Sequence, residues 1–136
     1  MTIADTSGLL ALFNAAEPEH EAVRRLVADL DDPVVVSPYV VAELDYLVAT
    51  RVGVDAELAV LAELAGGAYE LAQLDAADVA RASLVIERYR DQAVGLADAS
   101  IVVLADRHRT REILTLDHRH FDVLRPLSGG RFKLMP

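Results

Sequence analysis

Four acidic side chains, Asp5, Glu43, Asp98 and Asp117, occupy positions from which carboxylates could converge. Asp5 follows the short stretch Thr2–Ala4, and Asp117 follows Ile113–Leu116. Read as buried strands, both stretches deliver an acid to the same edge of a sheet. An Asp just past a strand is also an ordinary turn or capping residue, so neither carries the argument alone. Asp98 carries more. In 95-GLADASIVVLA-105 it shares a helical face with Ile101, Val102 and Ala105. An acid on such a stripe is costly unless it is paired or binds a metal. The helix dipole favours a negative charge in the first turn but does not require it to face inward. Glu43 flanks the apolar face formed by Val40, Val41, Leu44, Leu47 and Val48. Asp45 lies about 200° further round the helix and cannot serve the same site.

Converging carboxylates repel and raise one another's pKa. A hard divalent cation relieves this, and an all-oxygen donor set suits Mg²⁺ or Mn²⁺. Such an ion keeps several waters and binds substrate phosphates. The chemistry expected of Asp5, Glu43, Asp98 and Asp117, as metal ligands and catalytic groups, is therefore in-line hydrolysis of a phosphodiester.

The elements that must position these acids are legible as an alternation. After Thr2–Ala4, Thr6 and Ser7 can cap a helix to about Asn14, and Pro18 opens another to Leu30, ended by Asp31-Asp32-Pro33. Val34–Val36 reads as a buried parallel strand. Ser37-Pro38 then starts a helix to about Arg51, with a capping hydroxyl and proline at the first helical position. Asp55 is expected to cap the next helix, which ends at Gly66-Gly67, before a strand over Ala68–Ala72. Asp75 caps a helix to about Arg90, with Asp78 as a second capping acid, and another helix spans Leu96–Arg109. Strand Ile113–Leu116, a short helix His118–Leu124, the pair Gly129-Gly130 and strand Arg131–Leu134 complete the chain. This order predicts a three-layer α/β/α sandwich around a short, mainly parallel five-stranded sheet, with 1–136 as one domain.

Composition narrows the setting. The 136 residues contain no cysteine, which excludes disulfides and thiolate metal sites and allows a reducing compartment. The N-terminus lacks a basic signal-peptide region, and no apolar run approaches the roughly 18 residues of a membrane span, so a cytoplasmic protein is expected. Mean hydropathy is +0.26, which leaves room for an apolar surface that meets a partner. The net charge of −9 argues against a nucleic-acid partner at first sight. Its distribution softens that: residues 1–106 hold 6 basic and 19 acidic side chains, and residues 107–136 hold 7 and 3. Arg107, Arg109, Arg111, Arg119, Arg125, Arg131 and Lys133 form this basic end. Arg107, Arg109 and Arg111 suit a helix C-terminus, and the others are compatible with phosphate contacts. His118 and His120 diverge on a short helix, and His20 and His108 have no acidic partner that the sequence places. All four histidines are expected at the surface, with His118 or His120 within reach of the phosphodiester substrate.

Across its whole length the chain resembles the PIN-domain nucleases, specifically VapC-type toxins of bacterial toxin–antitoxin pairs. The resemblance rests on 3-IADTSGLLALF-13, 36-VSPYVVAELDYL-47, 95-GLADASIVVLA-105 and 113-ILTLDHRHF-121, in the family's order and at roughly its spacing. The family's acidic residues carry over onto Asp5, Glu43, Asp98 and Asp117, and Thr6 and Thr115 match polar positions beside the site. The resemblance implies an endoribonuclease dependent on Mg²⁺ or Mn²⁺ that acts on structured RNA such as tRNA or ribosomal RNA. It also implies a homodimer, and inhibition by a VapB-like antitoxin whose C-terminal segment fills a groove beside the acids. A housekeeping RNA-processing nuclease and a PIN-fold binding module with little catalysis are the alternatives. A phospho-accepting receiver is disfavoured, because Asp5 is followed by Thr6-Ser7 and the one lysine is Lys133. An Asp-x-Asp phosphatase is disfavoured because Ser7 fills the second position.

Overall fold

A computed structural model describes residues 1–136. Short runs of β-branched and aliphatic residues form strands β1 (Thr2–Ala4), β2 (Val35–Val36), β3 (Glu70–Leu71), β4 (Glu112–Leu114) and β5 (Lys133–Met135). The helices are α1 (Thr6–Phe13), α2 (His20–Ala28), α3 (Pro38–Arg51), α4 (Val54–Ala65), α5 (Ala76–Arg88), α6 (Leu96–Arg107) and α7 (His118–Phe121). The sheet order is β3-β2-β1-β4-β5, and every pairing is parallel. The expected sandwich is present, with a sheet that is parallel throughout rather than mainly so. The chain moves outward to one side through β1, β2 and β3, then returns to the other side of β1 for β4 and β5. The order therefore reverses between β1 and β4, which opens a crevice beyond their carboxyl ends.

The core explains why β1 and β4 can be so short. Ile3, Ala4, Val35, Val36, Ile113 and Leu114 are fully buried, as bare apolar runs covered on both faces must be. β3 is the exception: Glu70 and Leu71 are exposed at the sheet edge, where a charged residue discourages pairing with another chain. Helix α6 is buried along Ala99–Ala105, on all sides rather than on one stripe. It is a central helix, packed on α3, α5 and β1.

Several local expectations shift. Asp5, not Thr6 or Ser7, is the N-cap residue of α1, although its side chain makes no capping bond because it is engaged elsewhere. Gly53 precedes α4 in place of Asp55, which falls in the first turn and still complements the dipole. Pro18 lies before α2, which begins at His20, and β4 starts and ends earlier than its apolar run suggested. Asp75 and Asp78 do form the reciprocal capping box expected of them.

Gly8 fixes how closely α1 approaches the sheet. A Cβ at this position would stand 2.5 Å from the carbonyl oxygen of Leu114 and 2.9 Å from its carbonyl carbon. Backbone lies against backbone here, which brings the chain after Asp5 directly over the end of β4. Gly8→Ala is expected to cost about 1–3 kcal/mol of stability, as overpacking that only a backbone shift can relieve. Urea unfolding of the two proteins measures this, and equal midpoints would contradict the tight approach.

Candidate active site

The four sequence-predicted acids all line one cleft of ≈ 490 Å³ at the reversal point of the sheet, together with Thr6, Ser7, Arg51 and His120. Asp5 enters from the end of β1, Glu43 from α3, Asp98 from the first turn of α6, and Asp117 from just beyond β4.

Asp5 is only 5% exposed, and a frame of hydroxyls holds it. Thr115 Oγ1 donates to its Oδ2 at 2.8 Å, and Ser7 Oγ donates to the same oxygen at 2.9 Å. Those hydroxyls in turn accept from the main chain after β4: Leu116 N–H donates to Ser7 Oγ, and Asp117 N–H donates to Thr115 Oγ1, each at 2.9 Å. The backbone adds a bond from Asp5 N–H to the Leu114 carbonyl at 2.9 Å. One network therefore fixes Asp5 and the backbone of Asp117 together. Burial pushes the Asp5 carboxyl up, the Thr115 and Ser7 hydroxyls and the Thr6 backbone oppose this, and the Asp117 charge adds to it. The sequence reading gave Ser7 only a helix-capping role, yet it joins β1 to β4; the signal for that was a hydroxyl two residues after a strand-end acid.

A second hydroxyl relay sets α3 against α6. Tyr39 N–H donates to Ser37 Oγ at 3.2 Å, and Ser100 Oγ donates to the Ala97 carbonyl at 2.6 Å. With that proton committed, Ser37 must donate to Ser100 across 2.7 Å. Both serines are fully buried, so breaking the relay would leave unpaired polar atoms in the core. The relay ties the N-terminal turns of α3 and α6, which carry Glu43 and Asp98, to each other. Asp45, as the helical angle required, does not line the cleft.

Asp98 is the most perturbed acid of the cleft. Burial and the charge of Asp5 push it up to about 6, helped by Glu43 and Asp117, and opposed only by His120. Asp98 does not sit on a single apolar stripe, because α6 is buried all round from Ala99 to Ala105. Asp98 is confined to the cleft because it stands at the exposed end of a central helix.

His120 departs most from expectation. Its ring is not a surface group: Nδ1 lies 3.1 Å from Asp98 Oδ2 and 3.2 Å from Asp117 Oδ2. Asp117 caps α7 by accepting from His120 N–H at 3.3 Å, and this turns the histidine back over the cleft. His20 is also engaged, through Nδ1 at 2.8 Å from the Ala11 carbonyl. His118 and Arg119 are exposed, as expected.

The donor chemistry fits a hard divalent cation. Four carboxylates share the cleft with Thr6, whose hydroxyl is buried with no hydrogen-bond partner. The donors are not gathered around one point in this arrangement. His120 stands between Asp98 and Asp117.

The pH response of this site has a definite sign. Asp98 is raised in the folded state, so folding favours its protonated form, and stability falls as pH rises from about 4 through about 6. Asp98→Asn is expected to flatten this dependence in metal-free protein. At pH 7.5 it should stabilise the fold by roughly 1–2 kcal/mol, after allowance for partial solvent access. Thermal unfolding in EDTA between pH 4 and 8 checks this, and a variant less stable than the parent at pH 7.5 would contradict it.

Comparison with known proteins agrees with this geometry. The PIN domain family matches residues 2–125. Ribonuclease VapC26 of Mycobacterium tuberculosis is 65% identical over 134 residues, covering 98% of this chain and 99% of that protein. Among solved structures, M. tuberculosis VapC20, a sarcin–ricin loop cleaving toxin, superposes with TM-score 0.80 at 23% identity, over 86% of this chain and 90% of its own. The VapBC2 complex of Rickettsia felis, bound to a promoter DNA fragment, gives TM-score 0.72 at 16% identity, over 99% and 98%. FitAcB of Neisseria gonorrhoeae gives 0.61 at 21%, over 98% and 97%. These structural likenesses show the fold, and the sequence identity carries the closer relationship. The chain belongs to the PIN-domain family, among its VapC-type members.

Proposed function

We propose that this protein is a metal-dependent endoribonuclease, the toxin of a toxin–antitoxin pair, whose site is Asp5, Glu43, Asp98 and Asp117. The observation that carries the reading is the convergence of these acids on one cleft at the sheet's reversal point. The 65% identity to a ribonuclease over nearly the whole chain supports it. Asp5, Asp98, Glu43 and Asp117 would hold Mg²⁺, or Mn²⁺ in its place. When bound, the ion supplies Lewis-acid stabilisation of phosphate charge and lowers the pKa of water.

The chain's own residues do the rest. The Thr115 and Ser7 hydroxyls keep Asp5 oriented as an acceptor. Arg51 lines the same cleft without an acidic partner and can meet a phosphate of the substrate. Structured RNA, tRNA or ribosomal RNA, is the substrate class in this reading; VapC20 cleaves the sarcin–ricin loop, which makes a ribosomal RNA stem-loop the first to test.

The antitoxin side of the reading has its own surface. An apolar groove of ≈ 450 Å³ lies between α1, α3 and α4, lined by Leu10, Phe13, Val48, Val52, Val60 and Tyr69, among others. Leu10 borders both this groove and the acidic cleft, so a segment seated in the groove ends beside the acids. Val52, which lines it, is 60% exposed, and Val54 and Leu58 on α4 are about as exposed. A cytoplasmic homodimer completes the reading; no helix is long and apolar enough to cross a membrane.

Purified protein incubated with total RNA is expected to cut in Mg²⁺ or Mn²⁺ and not in EDTA. Asp5→Asn and Asp98→Asn are each expected to lose roughly 10²-fold or more of the rate. Equal cutting by the parent and Asp98→Asn would overturn the site assignment. Val52→Asp is expected to weaken capture by a co-expressed antitoxin while RNA cutting in its absence is unchanged. Unaltered capture would move the antitoxin off this groove.

A further inference from the structure

The arginines of the C-terminal third leave a pattern that the acidic cleft does not absorb. Of the thirteen basic side chains, six are held in ion pairs, including Arg81 with Asp106, Arg107 with Asp78 and Lys133 with Glu112. Among the seven others, Arg88, Arg109, Arg111 and Arg125 line one continuous groove on the flank of the molecule. It is made of three adjoining depressions: Leu127 borders all three, Pro126 joins the first pair, and Arg88, Tyr89 and Arg125 join the second. The carboxylates that border it are Asp106 and Glu112, and both are already engaged, by Arg81 and Lys133. On a chain of net charge −9, four unpaired arginines along one groove are a concentrated positive stripe.

The groove and the cleft lie on two sides of the same chain segments. Arg125 N–H donates to the Tyr89 hydroxyl at 3.2 Å, tying the end of α5 to the segment that leaves α7. Just after Tyr89, the residues Ala93, Gly95 and Leu96 line the acidic cleft, and His120 reaches the cleft from α7. Arg125 is five steps along the chain from His120, a span of at most about 18 Å. The groove's far end reaches Met1 and Arg109, at the amino ends of β1 and β4, opposite the site. At the bend between the ends, Gly129 and Gly130 have positive φ of 90° and 83°. A Cβ on Gly130 would come within 3.0 Å of the Arg111 guanidinium. The turn thus leaves room for Arg111 to lie along the groove.

We propose that this groove is an RNA-backbone track, holding the strand that flanks the bond cut in the acidic cleft; the proposal rests on the ribonuclease reading above. Arg88, Arg109 and Arg111 are exposed, and such guanidinium groups bind phosphates bidentately. Apolar residues gather at one end, around Leu84, Val85 and Val102, and the rest of the groove is mainly polar, which suits a phosphate backbone better than a folded protein partner. Because the track runs from the site edge of the sheet to the opposite edge, its occupant is an RNA that wraps the flank.

Filter binding of ribosomal RNA to the non-cutting Asp98→Asn chain tests this, with and without Arg88→Ala, Arg109→Ala and Arg111→Ala. The control is Arg24→Ala/Arg25→Ala on the exposed face of α2, and circular dichroism checks folding of each protein. The triple variant is expected to bind at least about tenfold more weakly, and its log affinity against log salt slope should fall by roughly 1 per arginine removed. The control should match the parent. In the cutting-competent chain the same three substitutions should raise KM for ribosomal RNA with kcat held. Unchanged affinity and salt slope, in a parent that cuts RNA with metal, would overturn the track alone. Weakened antitoxin capture with unchanged RNA binding would also overturn it, in favour of an acidic protein segment. A parent that neither binds nor cuts ribosomal RNA would overturn both the track and the ribonuclease reading.

Discussion

Repulsion among buried carboxylates is the constraint around which this molecule is organised. Asp5 and Asp98 both sit above the ordinary carboxylate range, chiefly through burial; the Asp117 charge adds to this at Asp5, and the Asp5, Glu43 and Asp117 charges add to it at Asp98. Nothing about a five-stranded parallel sheet requires such a cluster, and it works against folding stability. It persists because the scaffold over-determines it. Hydroxyls of Ser7 and Thr115 lock Asp5 to the backbone that carries Asp117, and the Ser37–Ser100 relay locks α3 to α6. Stability conceded at a site and recovered in the surrounding core is a pattern expected of functional centres.

His120 shows how the fold lives with that cluster. The imidazole presents a single Nδ1 to both Asp98 and Asp117, so one N–H can be shared between the two acids. It reaches them because Asp117 caps α7 and turns it inward, so one acid both belongs to the cleft and aims the residue that covers it. Charge is segregated on the larger scale too. The four acids face the cleft with Arg51, and four of the seven unpaired arginines line a groove on the flank. A polyanion would be attracted to the flank of a molecule whose overall charge repels it, and long-range repulsion is screened beyond about 8–10 Å at physiological salt.

The sequence made the acids and the strand–helix alternation legible because both follow short-range rules. A bare apolar run that ends in an acid reads as a buried strand edge, and Ser37-Pro38 or the Asp75/Asp78 box read as helix starts. What it concealed depended on tertiary contacts. Ser7 looks like a capping residue until β4 is laid beside it. His120 looks exposed until the capping bond of Asp117 sets the direction of α7. Asp98 was singled out for a stripe that the structure dissolves, since α6 is buried on every side. Gly8 gave no local sign that the Leu114 carbonyl would press against it. The arginine groove needed the fold as well, because Arg88 is far in sequence from Arg109, Arg111 and Arg125.

The account stands most directly on whether this cleft binds a divalent cation through its carboxylates. The deciding measurement is thermal unfolding of the intact protein with rising Mn²⁺ or Mg²⁺, in the parent and in Asp5→Asn and Asp98→Asn. Ligand that binds only the folded state raises Tm with concentration, by an energy of about 2.7 kcal/mol at a hundredfold excess over Kd. The parent should show that rise, and each variant should lose most of it. A parent whose Tm does not respond to either ion, or variants that respond as the parent does, would contradict the account.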